Sequence, residues 1–271
     1  MEFRDLKKQY QVLKPEIDAA IGQVLEESAY IGGKPVAQLE AELAEYVGVK
    51  HCIACANGTD ALTLALMAWG IGEGDAVFVP DFTFFSSAET VAYEGATPVF
   101  TDILEDTFNM DPDSLERAVQ AVLAEGKLKP RVIVAVDLFG LPADYERIRE
   151  IADRYGMYIL EDAAQGFGGS LRGRRAGSFG DIAATSFFPA KPLGCYGDGG
   201  AVFTDNDEWA ELIRSLRIHG KGTDKYDNVR IGMNSRLDTI QAAVLRVKLK
   251  AFREYELKDT DRIAARYEEG L

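Results

Sequence analysis

Lys191 lies between two prolines, Pro189 and Pro192, in the segment 185–200, which reads TSFFPAKPLGCYGDGG. Proline restricts the backbone, and the glycines that follow permit close backbone approach. A lysine in such a segment can be held at one place and desolvated, as Schiff-base chemistry requires. The alternative is a solvated lysine in a surface turn, which is what most lysines are. The rest of the chain has to decide between these two interpretations.

Two further groups of polar residues follow predicted strands. The tetrapeptide Asn57-Gly58-Thr59-Asp60 begins a helix, where backbone N–H groups and a hydroxyl can bind a phosphate. Asp162 ends another buried strand, where a carboxylate is costly without a cationic partner such as a protonated ring nitrogen. The alternatives are a plain N-cap for the tetrapeptide and a structural salt bridge or helix cap for Asp162.

Aromatic and hydroxyl side chains follow two more strands. Phe82, Phe84 and Phe85 come after one strand and could stack on a flat cofactor ring. Core packing is the more common use of such residues, and we expect at least one of the three to be core. Ser186 precedes Lys191 by five residues, so the two side chains could reach a phosphate and an aldehyde of one ligand.

The predicted strand ends together supply a phosphate site, a carboxylate, an aromatic surface, a hydroxyl and a lysine. Pyridoxal phosphate requires this set of groups. The lysine would bind the aldehyde of the cofactor and later move a proton, and the aspartate would keep the pyridine nitrogen protonated. Each signal is weak by itself, and the combination predicts a pyridoxal-phosphate site.

Strand-like and helix-like segments alternate along the chain, as in an α/β sandwich. Seven apolar, β-branched segments are predicted strands: Cys52–Ala56, Ala76–Pro80, Thr97–Ile103, Arg131–Leu138, Tyr158–Glu161, Ile182–Phe187 and Gly200–Thr204. Six segments have helical periodicity: Leu39–Val47, Thr59–Trp69, Ser86–Tyr93, Pro112–Leu123, Ala143–Tyr155 and Glu208–Ile218. Most of the strands are apolar throughout, which predicts a mainly parallel, seven-stranded sheet buried on both faces in a three-layer sandwich. Ligands bind beyond the carboxyl ends of such strands.

The two ends of the chain differ from its middle. Residues 1–35 read as an amphipathic helix followed by a turn, and residues 236–270 read as one long charged helix or two. We expect residues 1–245 to form a large cofactor-binding domain. We expect residues 246–271 to be the helical start of a small C-terminal domain that is truncated here.

Composition excludes several classes of protein and site. A formal net charge of -14 argues against nucleic acid or an anionic membrane as the main partner. No segment has the length and apolarity of a membrane span, and the start lacks a signal-peptide core, so we expect a cytoplasmic protein. With two histidines, a histidine-rich metal site is excluded. Cys52 and Cys55 should point to opposite faces of a strand, so we expect buried free thiols rather than a redox or metal pair.

At these residues the chain resembles the fold-type I pyridoxal-phosphate enzymes, and within them the DegT/DnrJ/EryC1/StrS family of nucleotide-sugar aminotransferases. The matching motifs run in the family's order across nearly the whole chain: Asn57-Gly-Thr-Asp-Ala-Leu62, Glu161-Asp-Ala-Ala-Gln165, Ser186-Phe-Phe-Pro-Ala-Lys191, Gly197-Asp-Gly-Gly200, His219-Gly220 and Asn234-Ser-Arg-Leu-Asp238. The resemblance implies the large-domain fold of these enzymes and pyridoxal 5'-phosphate as the cofactor.

The resemblance also implies roles for residues around the cofactor ring. Lys191 would be the catalytic Schiff-base lysine, and Asp162 would pair with the pyridinium nitrogen. Gln165 would lie on the side of the ring hydroxyl. Phe84, the aromatic residue of the Thr-aromatic pair, would stack on the ring.

The phosphate of the cofactor has its own implied ligands. Gly58, Thr59 and Ser186 would hold it within one subunit. Asn234 would reach the phosphate of the neighbouring subunit, which makes a homodimer with a shared active site the functional unit.

A narrower similarity, in segments 186–200 and 232–239, is to the branch that acts on a UDP-linked 2-acetamido-3-keto-hexuronic acid. It implies that an amine moves from glutamate to C3 of UDP-2-acetamido-2-deoxy-3-oxo-glucuronate, for lipopolysaccharide O-antigen sugars. Arg236 is then a candidate ligand of the substrate carboxylate, because arginine binds carboxylates in a bidentate manner. The alternative for Arg236 is an ion pair with Asp238 or another nearby acid.

Other functions remain open. Within the family, the chain could aminate C4 of a 4-keto-6-deoxy nucleotide sugar or use the cofactor as sugar dehydratases do. Some relatives with a histidine in place of the lysine are such dehydratases, and the intact Lys191 favours transamination. Outside the enzymes, a non-catalytic sensor or binding protein could keep the same fold, but a binder has no need of Lys191 together with Asp162.

Overall fold

The computed structural model describes residues 4–224 and 226–270. Within these residues seven strands form one sheet: β1 (His51–Cys55), β2 (Asp75–Pro80), β3 (Thr97–Thr101), β4 (Lys129–Val136), β5 (Tyr158–Asp162), β8 (Ile182–Ser186) and β9 (Gly200–Thr204). A short antiparallel hairpin comprises β6 (Ser170–Leu171) and β7 (Arg174–Arg175). The order across the large sheet is β1-β9-β8-β5-β4-β2-β3. Only β9 runs antiparallel to its neighbours β1 and β8, so the predicted mainly parallel, seven-stranded sheet is confirmed.

The helices that cover the sheet agree with the predicted segments to within a few residues, except that one begins five residues early. They are α1 (Leu6–Glu27), α2 (Lys34–Val47), α3 (Gly58–Ala68), α4 (Ser86–Tyr93), α5 (Pro112–Glu125), α6 (Tyr145–Tyr155), α7 (Asp207–Leu216), α8 (Thr239–Ala251) and α9 (Leu257–Gly270). The early start is in α2, at Lys34 rather than Leu39, because Pro35 is a favourable residue in a first helical turn.

Local sequence explains where the helices nearest the strand ends begin. Asn57 caps α3, and its side-chain oxygen accepts the Asp60 N–H at 2.8 Å. Asp111 caps α5 in the same way, and Pro112 occupies the first helical position, where no backbone N–H is needed. Each cap therefore places a helix N-terminus just beyond the preceding strand or turn.

The sheet is the middle of three layers. Alternate residues of β4 illustrate this arrangement, since Val134 packs with α3 and α7 while Ile133 packs with α5 and α6. The same alternation places Cys55 on the α3 side and Cys52 on the α2 side, and both thiols are buried and free. The predicted orientation of the two cysteines is confirmed.

The edge strand β3 departs from the sequence prediction. Most of its residues are exposed or partly exposed, and only Thr101 is buried. The strand has a single neighbour, β2, so its apolar composition does not lead to burial on both faces.

The C-terminal segment is a single helical run that contains a π-helical turn. Residues Phe252–Glu256 form this turn between α8 and α9, and the backbone stays helical through it. The predicted boundary between residues 245 and 246 falls inside α8, and the division into two domains stays a prediction. None of the described helices has both the length and the apolarity to cross a membrane.

Replacement of Leu64 by Ala should destabilise the chain by about 2–5 kcal/mol, because this α3 side chain is 0% exposed and its loss leaves a cavity. Leu123→Ala is the matched control, since Leu123 of α5 is 50% exposed and its loss should cost about 0.5 kcal/mol or less. Urea denaturation of both variants without cofactor measures the difference. An equal loss of unfolding free energy in the two variants would show that the α3 side of the sheet is not a packed core.

Candidate active site

A cavity of about 780 Å³ opens beyond the carboxyl ends of β4, β5 and β8. It is lined by seven of the nine residues singled out from the sequence: Gly58, Thr59, Phe84, Asp162, Gln165, Ser186 and Lys191. These residues lie far apart in the chain and meet because the carboxyl ends of parallel strands share one edge of the sheet.

The N-terminus of α3 lies directly against the end of β8. A Cβ atom at Gly58 would lie 2.7 Å from Cβ of Ser186, so only glycine permits this contact. Thr59 Oγ1 is 2.9 Å from Ser86 Oγ, in a hydrogen bond that either hydroxyl can donate. Hydroxyl groups and the positive end of a helix dipole therefore face the same part of the cavity, and this arrangement is suited to a phosphate.

Asp162 presents a buried carboxyl group at the end of β5. Its Oδ2 accepts a hydrogen bond from Ser87 Oγ at 2.9 Å, and its Oδ1 accepts one from the Ala164 N–H at 3.2 Å. Burial raises the pKa of the Asp162 carboxyl, while these two hydrogen bonds and the charge of Lys191 act to lower it. The site can therefore hold a carboxylate that a cationic ligand group would keep ionised.

Sequence reasoning missed Ser87. This residue lies 75 positions from Asp162 in the chain and belongs to a different element, α4. The sequence signal that could have found it is the helix start at Ser86, which turns the next residue toward the strand ends.

Lys191 is half-buried in the cavity wall rather than fully solvated. Its backbone N–H donates to the Phe188 carbonyl at 2.8 Å, which closes the turn between the two prolines. Burial lowers the pKa of the Lys191 ammonium, and the charge of Asp162 partly offsets this effect. Among the described residues that line the cavity, Lys191 is the only cation beside the acids Asp60, Glu89, Asp162 and Asp198.

The aromatic residues after β2 are all on the surface. Phe82, Phe84 and Phe85 are 47%, 67% and 72% exposed, so the expectation that at least one of them is core was wrong. The loop that carries them passes over the strand ends instead of entering a layer. Phe82 contacts the rings of Phe108 and Phe139, with centroids 5.6 and 6.4 Å away, and Phe84 is left facing the cavity.

Gln165 is held in place by the backbone of another strand connection. Its Oε1 accepts the Phe139 N–H at 2.9 Å, and Phe139 has a left-handed backbone with φ of 56°. With its oxygen committed in this way, the Gln165 side chain directs its amide N–H donors elsewhere.

A pair of buried carboxyl groups lies beneath the cavity floor, and sequence reasoning missed it. Glu161 accepts backbone N–H groups from three residues of one turn: Gly177, Phe179 and Gly180. Asp137 Oδ1 accepts the Tyr145 hydroxyl at 2.8 Å and the Ala143 N–H at 3.2 Å, and the charge of Glu161 acts on this carboxyl group. Burial raises the pKa of both carboxyl groups. The three N–H donors favour ionised Glu161, so Asp137 is the member of the pair on which these contacts favour a proton.

Asn234 and Arg236 lie apart from the other candidate residues. They line a second cavity of about 470 Å³, which Asp198 shares with the first. Arg236 makes no ion pair with Asp238, and it has no acid within 4.0 Å anywhere in the described ranges. The ion pair offered as the alternative for Arg236 is therefore not formed.

Residues 11–271 match the model of the DegT/DnrJ/EryC1/StrS aminotransferase family. The chain belongs to this family. The family resemblance read from the motifs is confirmed, and the match covers the strands and helices that build both cavities.

The chain is also similar over most or all of its length to individual aminotransferases. UDP-2-acetamido-2-deoxy-3-oxo-D-glucuronate aminotransferase of Pseudomonas aeruginosa is 48% identical over 271 residues, which are 100% of this chain and 73% of the relative. A crystal structure of a family aminotransferase from Brucella abortus is 56% identical with a TM-score of 0.98, over 99% of this chain and 72% of that one. The DesV structure from S. venezuelae, in complex with a ketimine intermediate, is 45% identical with a TM-score of 0.87. The match covers 93% of this chain and 66% of the DesV chain.

These matches establish the class of enzyme. The chain is a pyridoxal-phosphate-dependent sugar aminotransferase with the fold-type I large-domain architecture. The predicted fold, cofactor and reaction class are confirmed.

Replacement of Asp137 by Asn should make stability less dependent on pH. The raised pKa of the buried pair means that the folded chain retains a proton where the unfolded chain has lost it. The contribution of the pair is therefore fully present below the unfolded pKa of about 4, and it is lost as pH rises through the folded pKa. Urea denaturation of the cofactor-free chain measures the free energy of unfolding. Between pH 4 and pH 9 this free energy should decline less in the variant than in the parent chain.

The exposed Asp106→Asn change is the control for this measurement and should leave the decline unaltered. An identical pH dependence in the Asp137→Asn and parent chains would mean that the pair holds no extra proton.

Proposed function

We propose that this chain transfers an amino group from glutamate to C3 of UDP-2-acetamido-2-deoxy-3-oxo-glucuronate, a step toward amino sugars of lipopolysaccharide O-antigen. The observation that carries the proposal is the half-buried Lys191 in one cavity with Asp162 and a helix N-terminus. The sugar is taken from the relative in Pseudomonas aeruginosa, whose similarity extends over the whole chain.

The residues of the first cavity fit pyridoxal phosphate. Lys191 would bind its aldehyde, and the buried Asp162 would pair with its ring nitrogen. Gln165 would lie beside the ring hydroxyl, and the exposed ring of Phe84 offers an apolar surface for stacking. When bound, the cofactor supplies an electron sink that stabilises negative charge beside the amino nitrogen.

The phosphate of the cofactor would lie in the cavity beside the contact between the N-terminus of α3 and the end of β8. Gly58 permits close approach there, and Thr59 and Ser186 add hydroxyl donors. We also propose that Asn234 completes this phosphate site from a neighbouring subunit, so that the functional unit is a homodimer. The separation of Asn234 from the first cavity within one chain supports this arrangement.

Proton transfer is the task proposed for Lys191 itself. Its Nζ removes a proton from the carbon next to the amino nitrogen and returns a proton in the second half of each transfer. Burial already lowers the pKa of this amine, which increases its neutral, basic fraction near neutral pH. The carboxylate of Asp162 limits how far that pKa can fall.

An anionic sugar nucleotide needs positive charge that the first cavity does not supply. Its described lining has four carboxyl groups and one lysine. Arg236, free of ion pairs among the described residues, is the proposed ligand of the uronate carboxylate. Amination at C4 of a 4-keto-6-deoxy sugar or a non-catalytic binding role are the competing outcomes of the assays below.

Borohydride reduction of the cofactor-loaded chain should fix a pyridoxyl group on Lys191, because reduction traps the bond between the lysine and the aldehyde. Peptide mass spectrometry locates the modification. Lys191→Ala should abolish both the modification and glutamate-dependent turnover. Lys250→Ala, at an exposed lysine of α8, is the control and should keep both. A modification at any other lysine of the folded, loaded chain would contradict the proposed role.

Arg236→Gln should reduce kcat/KM for the 3-keto uronate about 10- to 100-fold, since a hydrogen bond to a charged group contributes about 1.5–3 kcal/mol. With the analogue that lacks the C6 carboxylate, kcat/KM of the same variant should fall less than about threefold, because that substrate has no carboxylate for Arg236 to bind. Arg154→Gln is the control, because Arg154 of α6 pairs with Glu116 of α5 and lines neither cavity. Equal losses on both substrates would remove Arg236 from carboxylate recognition, and turnover of only 4-keto sugars would move the reaction to C4.

A further inference from the structure

Residues 189–197, the segment that carries Lys191, accept hydrogen bonds from two cations, Arg4 and Lys248, which come from opposite ends of the chain. We call this segment the lysine loop. Arg4 precedes α1, and Lys248 belongs to α8. The helices α1 and α8 pack on each other through Leu13, Ile17, Val244 and Ala251, so the two cations approach the loop from one packed unit.

Arg4 binds the lysine loop on both sides of the catalytic lysine. Its Nη1 donates to the Ala190 carbonyl at 3.1 Å, and its Nη2 donates to the Pro192 carbonyl at 2.7 Å. The planar guanidinium can span two acceptors at once, which a lysine ammonium cannot do with the same geometry. Arg4 therefore bonds to a carbonyl group of each residue that flanks Lys191.

Lys248 binds the same loop at Gly194, three residues after Lys191. Its Nζ donates to the Gly194 carbonyl, and the residue is 1% exposed. Gly194 has no room for a side chain, since a Cβ atom would lie 2.4 Å from the Pro189 carbonyl oxygen. The Lys248 ammonium also lies 5.4 Å from the centre of the Tyr196 ring. Lys248 thus contacts the loop where it folds back on itself.

Neither cation has an acid of the described ranges within 4.0 Å. The acid whose charge acts on both is Glu256, and its Oε1 already accepts a hydrogen bond from Gln9 Nε2 at 2.7 Å. Burial lowers the pKa of Lys248 to about 8. A buried ammonium without a paired carboxylate is costly, and a methionine of similar shape would fill the same space without that cost.

The next lysine of α8 shows the contrast with an ordinary surface cation. Lys250 is exposed and lies 3.7 Å from Glu16 of α1, so it can link the same two helices without touching the lysine loop. Packing of α1 on α8 therefore explains Lys250 but does not require a charge at Lys248. What Lys248 and Arg4 share is contact with carbonyl groups of the loop that presents Lys191.

We propose that Arg4 and Lys248 are positioning residues that hold the lysine loop, and through it Lys191 Nζ, at the place where the cofactor aldehyde must lie. The inference rests on the proposed role of Lys191. The helix α8, which carries Lys248, continues through the π-helical turn into α9. Such turns are frequent at functional sites.

The first test uses the full chain without cofactor. Hydrogen exchange followed by mass spectrometry measures protection of the amides of Lys191 and Cys195, which donate to the Phe188 and Phe187 carbonyls. Lys248→Met and Arg4→Ala should each raise exchange in the loop at least fivefold. Lys250→Met is the matched control and should leave the loop unchanged.

The second test uses the cofactor-loaded chain. The absorbance of the lysine-bound cofactor, followed against pH, reports the environment of Lys191 Nζ. Lys248→Met and Arg4→Ala should shift the midpoint of this titration by at least half a pH unit and lower kcat at least tenfold, with KM for the sugar changed less than threefold. Arg4→Lys, which keeps the charge but not the planar fork, should restore only part of the effect.

Loop exchange and titration midpoints equal to those of Lys250→Met would overturn the inference, even if the variants unfold at lower urea concentration. Arg4 lies outside the hydrophobic core, so Arg4→Ala gives a folded test if Lys248→Met does not fold. A failure of borohydride to modify Lys191 would instead remove the proposed function, while the exchange measurement without cofactor still reports on the loop by itself.

Discussion

Three buried carboxyl groups at neighbouring strand ends impose the main physical constraint on this structure. Asp137 and Asp162 follow or end adjacent parallel strands, and Glu161 lies beside them. Three ionised carboxylates at this spacing would repel strongly in a medium of low polarity. Burial raises the pKa of both Asp137 and Glu161, which favours a proton on this pair of carboxyl groups. Asp162 is left as the carboxyl whose charge a cationic ligand can balance.

Two cations, Arg4 and Lys248, bind the loop that presents Lys191. Both cations direct their charge to backbone carbonyls of the lysine loop rather than to acids, and we propose that these contacts hold the loop while Lys191 remains half-buried. Two groups of charged residues therefore lie around the cavity. The buried Asp137–Glu161 pair lies next to Asp162 at the strand ends, and in our proposal Arg4 and Lys248 fix the position of Lys191.

The residues proposed for sugar recognition and those proposed for cofactor chemistry lie in two different cavities of one chain. The first cavity holds the residues suited to pyridoxal phosphate but is lined mainly by acids, whereas Arg236 lies in the second cavity. This division agrees with a family in which a common cofactor site serves different sugars, since the cofactor residues can stay while the second cavity varies. The homodimer proposed above would bring a partner's Asn234 to the phosphate.

Local patterns in the sequence determined the elements and the reaction class. Seven apolar segments, the caps at Asn57 and Asp111, and motifs in family order were sufficient for the fold and for the candidate residues around Lys191. The tertiary structure alone decided which distant side chains meet, such as Ser87 with Asp162, and that Phe82 and its neighbours stay on the surface. Local propensity acts over a few residues, whereas these contacts depend on strand order and on packing between elements remote in the chain. The contacts of Arg4 and Lys248 with the lysine loop also depend on tertiary structure, because the loop lies more than fifty positions from either residue and no local signal links them.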